Sequence, residues 1–90
     1  GRTPKINPAN CRDHWPICYS AVLAGGGGQG GSTYGSSEKQ AAYVKENPVT
    51  PGDYLATVCH ACGLDSSRMI HDLQGRPFQV CDGEPIHAIL

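Results

Sequence analysis

Between positions 25 and 31 the chain reads Gly25-Gly26-Gly27-Gly28-Gln29-Gly30-Gly31, a stretch through which no helix or strand is expected to run. Glycine loses more backbone freedom on ordering than any other residue and has no side chain to bury in return. The tract therefore ends whatever precedes it. Immediately before it lies Ile17-Cys18-Tyr19-Ser20-Ala21-Val22-Leu23-Ala24, an apolar run with the length and composition of a buried strand. Twelve glycines and seven prolines in ninety residues, against a hydrophobic fraction of 39%, leave little from which to build a core. A chain of this size is one domain at most, and ordering each residue costs about 1–2 kcal/mol. The expectation is a single partial domain over residues 1–90 that leans on further segments, on a metal or on cross-links. It opens on Gly1-Arg2-Thr3-Pro4 rather than Met, and its one methionine is Met69, so it reads as the end of a longer protein.

Charge excludes some functions. The net charge is −1 and the charged fraction 17%, with no basic stripe, which argues against non-specific nucleic-acid binding. No apolar stretch approaches the length needed to span a bilayer.

Local signals place a few elements. Residues 1–16 hold three prolines with Asn7 and Asn10 and read as an irregular loop. Residues 30–35 suit a turn or a short strand, and the polar segment 36–49 carries a weak helical signal without caps. Thr50-Pro51-Gly52-Asp53 is a helix start: threonine at the N-cap, proline at the first helical position, a carboxylate at the third. The helix is expected over about 51–62, with Gly63 as its stop. Its spacing puts Leu55, Val58, Cys59 and Cys62 on one face, the expected buried one, and His60 with Asp53 and Ala56 opposite. Arg68–His71 and Pro77–Val80 flank Gln74-Gly75-Arg76 and predict a terminal hairpin. Ile86–Leu90 is an apolar tail expected to dock.

Three clusters bear chemistry. The run Arg12-Asp13-His14 sets a guanidinium, a carboxylate and an imidazole side by side. Asp13 and His14 are suitable ligands for a divalent metal, and Arg12 for an anion beside it. The bland alternative is a loop histidine bonded to local backbone. Gly26, Gly28 and Gly31 match G-x-G-x-x-G, but a near-homopolymer matches many templates. No lysine follows to reach a phosphate and no capped helix opens there, so a flexible turn is the better account. Cys59-His60-Ala61-Cys62 has the spacing of a redox pair or of half a zinc site. A redox pair belongs at a helix N-terminus, and this one falls in the last turn. Two small residues on an apolar face explain the register better. As half a zinc site the pair needs partners, and Cys11 with Cys18 supply a self-contained structural zinc-binding alternative.

The ordered series Gly1-Arg2-Thr3-Pro4-Lys5-Ile6-Asn7, Arg12-Asp13-His14-Trp15-Pro16, Pro48-Val49-Thr50-Pro51-Gly52-Asp53, Gly75-Arg76-Pro77 and Gly83-Glu84-Pro85-Ile86 resembles the C-terminal end of the domain of unknown function 1501 family. That family is in turn similar to the alkaline phosphatase and sulfatase superfamily. The resemblance implies an α/β class and the C-terminal fragment of an α/β/α sandwich, contributing one or two strands, a covering helix and the terminal hairpin. It implies metal-dependent hydrolysis of a small anionic phosphate or sulfate ester, with zinc, calcium or manganese as the divalent metal. His14 occupies the position of a late metal ligand, Asp13 is the next candidate, and Arg12 is a substrate contact. The nucleophile and the other ligands then lie in the upstream part of the same chain, and the fragment is inert alone. An exported or periplasmic location follows from the same resemblance. Cys11 stands where the family pattern expects glycine, and Cys59 and Cys62 where it expects aliphatic residues, which points to packing for that pair.

Overall fold

The computed structural model describes all residues 1–90. It contains one α-helix, two small antiparallel sheets and a terminal 3-10 turn. The chain divides into two compact units, residues 1–23 with 34–48 and residues 24–33 with 49–90.

In the first unit the N-terminal residues run back along residues 12–15. Thr3 donates its amide to Asp13 and Trp15 donates to Gly1, both at 2.9 Å, and Arg2 bridges His14 in antiparallel fashion. Asn7 closes the intervening loop. Its side-chain oxygen accepts the amides of Ala9 and Cys11, and Asn10 takes a positive φ of 59° to complete the bend. The expected irregular loop is thus a hydrogen-bonded corner. Gly1 packs so closely that a Cβ there meets the carbonyl oxygens of Cys18 and Trp15.

The polar segment 36–49 forms a hairpin rather than a helix: β1 (Ser36–Ser37) pairs with β2 (Val44–Glu46), with a register shift between Ser36 and Ser37. Side-chain bonds decide this. The Glu38 carboxylate accepts the Ala42 amide, Ala41 takes φ 56°, and the Trp15 indole donates to the Ala42 carbonyl at 2.7 Å. Trp15 also meets Tyr43 edge to face at 6.1 Å, so one aromatic pins the hairpin tip.

Ile17–Ala24 forms no strand. Ile17, Tyr19 and Val22 are 53%, 61% and 85% exposed, and only Cys18 is buried. The apolar pattern is that of a strand covered by further layers, and no layer covers it here.

The second unit is built on α1 (Pro51–Ala61). Both bonds of the expected capping box form: Asp53 donates its amide to the Thr50 hydroxyl, and the Asp53 carboxylate accepts the Thr50 amide. At the far end Gly63, at φ 82°, donates to His60 while Leu64 donates to Cys59, the paired bonds of a glycine-terminated helix. The hairpin predicted for the C-terminal third is present as β3 (Met69–His71) and β4 (Pro77–Gln79), in the register Ile70 opposite Phe78. Asp72 sets its turn by accepting the Gln74 and Arg76 amides and the Arg76 guanidinium, the last at 2.7 Å.

Which face of α1 is buried differs from expectation. Ala56 and Thr57 are fully buried, whereas Leu55 is 52% exposed and Cys62 is exposed. The reason is what covers the helix. Residues 83–87 lie along it as an extended strap: Gly83 abuts Gly52, the Glu84 amide bonds the Asp53 carboxylate, the Ile86 amide bonds the Thr57 hydroxyl, and the His87 ring meets His60. A backbone approaching this closely tolerates only small residues beneath it, and Gly52, Ala56 and Thr57 supply them. The tail ends in a 3-10 turn, His87–Ile89, whose Ile89 carbonyl accepts the Gln29 amide at 2.7 Å. The glycine tract is therefore a turn anchored to the C-terminal tail.

Candidate functional site

Arg12, Asp13 and His14 all lie on the exposed corner of the first unit. The corner holds their backbone rather than their side chains: the Asp13 amide donates to the Thr3 hydroxyl at 3.0 Å, and the Arg12 carbonyl accepts the Arg2 guanidinium at 3.1 Å. One carboxylate oxygen of Asp13 accepts the Asn7 side-chain amide at 2.9 Å, which orients the group. The pairing with Gly1–Thr3 holds residues 13 and 14 extended, so the Asp13 and His14 side chains leave the corner on opposite sides.

A divalent metal takes more ligands than this run supplies, since even a catalytic zinc site uses three protein ligands. No group of three or more His, Cys, Asp or Glu side chains comes together to hold a metal. Asp13 and His14 are side chains of a kind that binds divalent metals. All five cysteines are free thiols.

Sequence reasoning passed over a second location, in the other unit. An open groove of about 600 Å³ is bordered by His60, Asp65, Cys81, Asp82, Glu84 and His87. His60 and His87 meet edge to face at 5.4 Å. His87 therefore has a partner, which its position in an apolar tail gave no reason to expect. The Asp65 carboxyl is held below the ordinary range by the Ser67 hydroxyl first and the Ser67 amide next, with smaller help from the charges of Arg68 and His60. At the head of the strap, Asp53 is held low by the Glu84 amide and then by the Thr50 amide, outweighing its partial desolvation. The only sequence signal for this tie was the capping box, which accounts for one Asp53 oxygen and leaves the other available.

A family model described as "Protein of unknown function (DUF1501)" matches residues 1–90, and the chain belongs to that family. No curated protein and no solved structure matches it. No helix is long and apolar enough to cross a membrane.

Proposed function

We propose that this chain is the C-terminal portion of a metal-dependent phosphate or sulfate ester hydrolase of the alkaline phosphatase and sulfatase kind, acting together with upstream segments of its own polypeptide. The observation that carries the reading is the exposed apolar run Ile17–Leu23, which leads from the Arg12–His14 corner into the glycine turn. In a layered α/β fold such a run is an interior strand, and the corner leads into its amino end, the position at which the family resemblance puts a late histidine ligand. The exposed Leu55 and the half-buried Val58 on α1 also lack full cover.

In this reading His14 is a metal ligand and Arg12 takes an anionic ester oxygen. Asp13, its carboxylate oriented by Asn7 on the other side of the corner, is the next candidate donor, in place of His14 rather than beside it. A divalent metal held there would supply neutralisation of the ester oxygens and activation of the nucleophile. The corner's task is to fix the backbone from which His14 projects. An exported or periplasmic setting goes with the same proposal.

The test uses the full-length parent protein with an aryl phosphate and an aryl sulfate. His14→Ala lowers turnover at least about 100-fold and reduces bound metal, the scale expected when a metal site is disrupted. Arg12→Ala raises KM for the ester. Metal content of Asp13→Asn decides whether Asp13 ligates. A stably folded, metal-loaded parent that cleaves neither ester refutes the enzyme reading.

A further inference from the structure

We propose that His60 and His87 together chelate a late first-row divalent ion such as Zn²⁺, clasping the C-terminal tail onto the last turn of α1. The two imidazoles come from different elements and meet edge to face at 5.4 Å between ring centres. Each backbone is pinned close to its ring. His87 follows Ile86, whose amide bonds the Thr57 hydroxyl at 3.0 Å, and Thr57 lies one helical turn before His60. A turn further back the Glu84 amide bonds the Asp53 carboxylate, also at 3.0 Å. The rings themselves are exposed, and neither imidazole nitrogen takes part in a hydrogen bond within the chain. Their lone pairs are open to a ligand.

The separation is the one an ion needs. A zinc–nitrogen bond of about 2.0–2.1 Å, with roughly 1.1 Å from nitrogen to ring centre, puts two imidazoles on one tetrahedral ion about 5.2 Å apart, centre to centre. Binding then requires the exposed rings to turn about their side-chain bonds while the backbone stays where the strap holds it.

The surroundings favour a cation. His60 stands in the last turn of α1, at the negative end of the helix dipole. Asp65, Asp82 and Glu84 border the same groove, and the Ser67 amide and hydroxyl hold the Asp65 carboxyl ionised. These carboxylates attract the ion without joining the imidazoles in one ligand cluster, so water completes the coordination. Imidazole nitrogen selects zinc, copper or nickel, whereas magnesium and calcium take oxygen ligands.

The experiment is a footprint of the full-length parent protein with diethyl pyrocarbonate, which modifies histidine nitrogens that hold no metal. Peptide mass spectrometry reads it with and without Zn²⁺. Zn²⁺ protects His60 and His87 together and leaves His71 reactive, since His71 is exposed on β3 without a ring partner. Mg²⁺ protects none of the three. His87→Gln abolishes the protection of His60, and His60→Gln that of His87; both replace exposed side chains that make no hydrogen bond. His14→Ala leaves the footprint at His60 and His87 unchanged, which separates this site from the one proposed at the corner. Protection of His60 that survives His87→Gln, or equal protection of His71, marks an adventitious ion only and overturns the proposal. Failure of Zn²⁺ to protect either ring overturns it too.

Discussion

Thr57 is the best place to test whether the strap holds α1. The residue is fully buried, and its hydroxyl does two things: it donates to the Asp53 carbonyl at 2.7 Å and accepts the Ile86 amide at 3.0 Å. Thr57→Val keeps the branched shape and removes the hydroxyl. The Asp53 carbonyl keeps its helical partner four residues on, but the Ile86 amide is left in a half-buried position with no acceptor. An unsatisfied buried donor costs about 1–3 kcal/mol. For a domain near this size that lowers the melting temperature by on the order of 5–15 °C. Thr57→Ser retains both bonds and loses one methyl group, about 1 kcal/mol. Thermal melts followed by circular dichroism rank the two variants, and amide exchange at Ile86 identifies the cause. The Ile86 amide loses protection in Thr57→Val and keeps it in Thr57→Ser. A Thr57→Val protein that melts at or above the unaltered one, or whose Ile86 amide stays protected, refutes the reasoning.

Two further outcomes are expected at the head of the strap. A Cβ on Gly83 runs into the backbone of Gly52 and Asp53, whereas one on Gly52 comes no nearer than 3.3 Å to Gly83. In urea titrations Gly83→Ala should lose roughly 1–3 kcal/mol, the range for overpacking, while Gly52→Ala stays close to the parent; equal midpoints for the two would contradict the close approach. The Asp53 carboxyl titrates below the ordinary aspartate value of about 3.9 because the Glu84 and Thr50 amides favour its charged form. A depressed folded-state pKa gives stability that is present above the ordinary value and is lost as pH falls through the folded one. Unfolding midpoints should therefore drop on the acid side of about pH 4, and Asp53→Asn should flatten that slope; an unchanged acid profile in Asp53→Asn would remove Asp53 from the cause.

What the sequence revealed and what it hid separate along physical lines. The helix start was legible because Thr50, Pro51 and Asp53 act within one turn, and the β3–β4 hairpin because Gly75 and Asp72 settle its turn locally. The buried face of α1 was not legible. Leu55, Val58, Cys59 and Cys62 form the apolar stripe that helical spacing predicts to be buried, yet the element that packs on this helix is bare backbone, and backbone selects Gly52, Ala56 and Thr57. The β1–β2 hairpin was missed because the Trp15 bond and the Glu38 carboxylate fix it from outside its own strands. At the candidate site Arg12, Asp13 and His14 were found by type alone. The alternation of Asp13 and His14 about the corner depends on pairing with Gly1–Thr3, which no spacing in the run encodes.

The strap also sets an order of assembly. The caps of α1 join residues three apart, while Glu84 reaches Asp53 across 31 positions, Ile86 reaches Thr57 across 29, and Leu90 meets Gln29 across 61. Closing a longer loop costs more chain entropy before any contact repays it. The helix can thus be capped early and must wait for its cover. A chain stopped short of Gly83 retains every signal that starts and ends the helix, and leaves the Ala56–Thr57 stripe open to water.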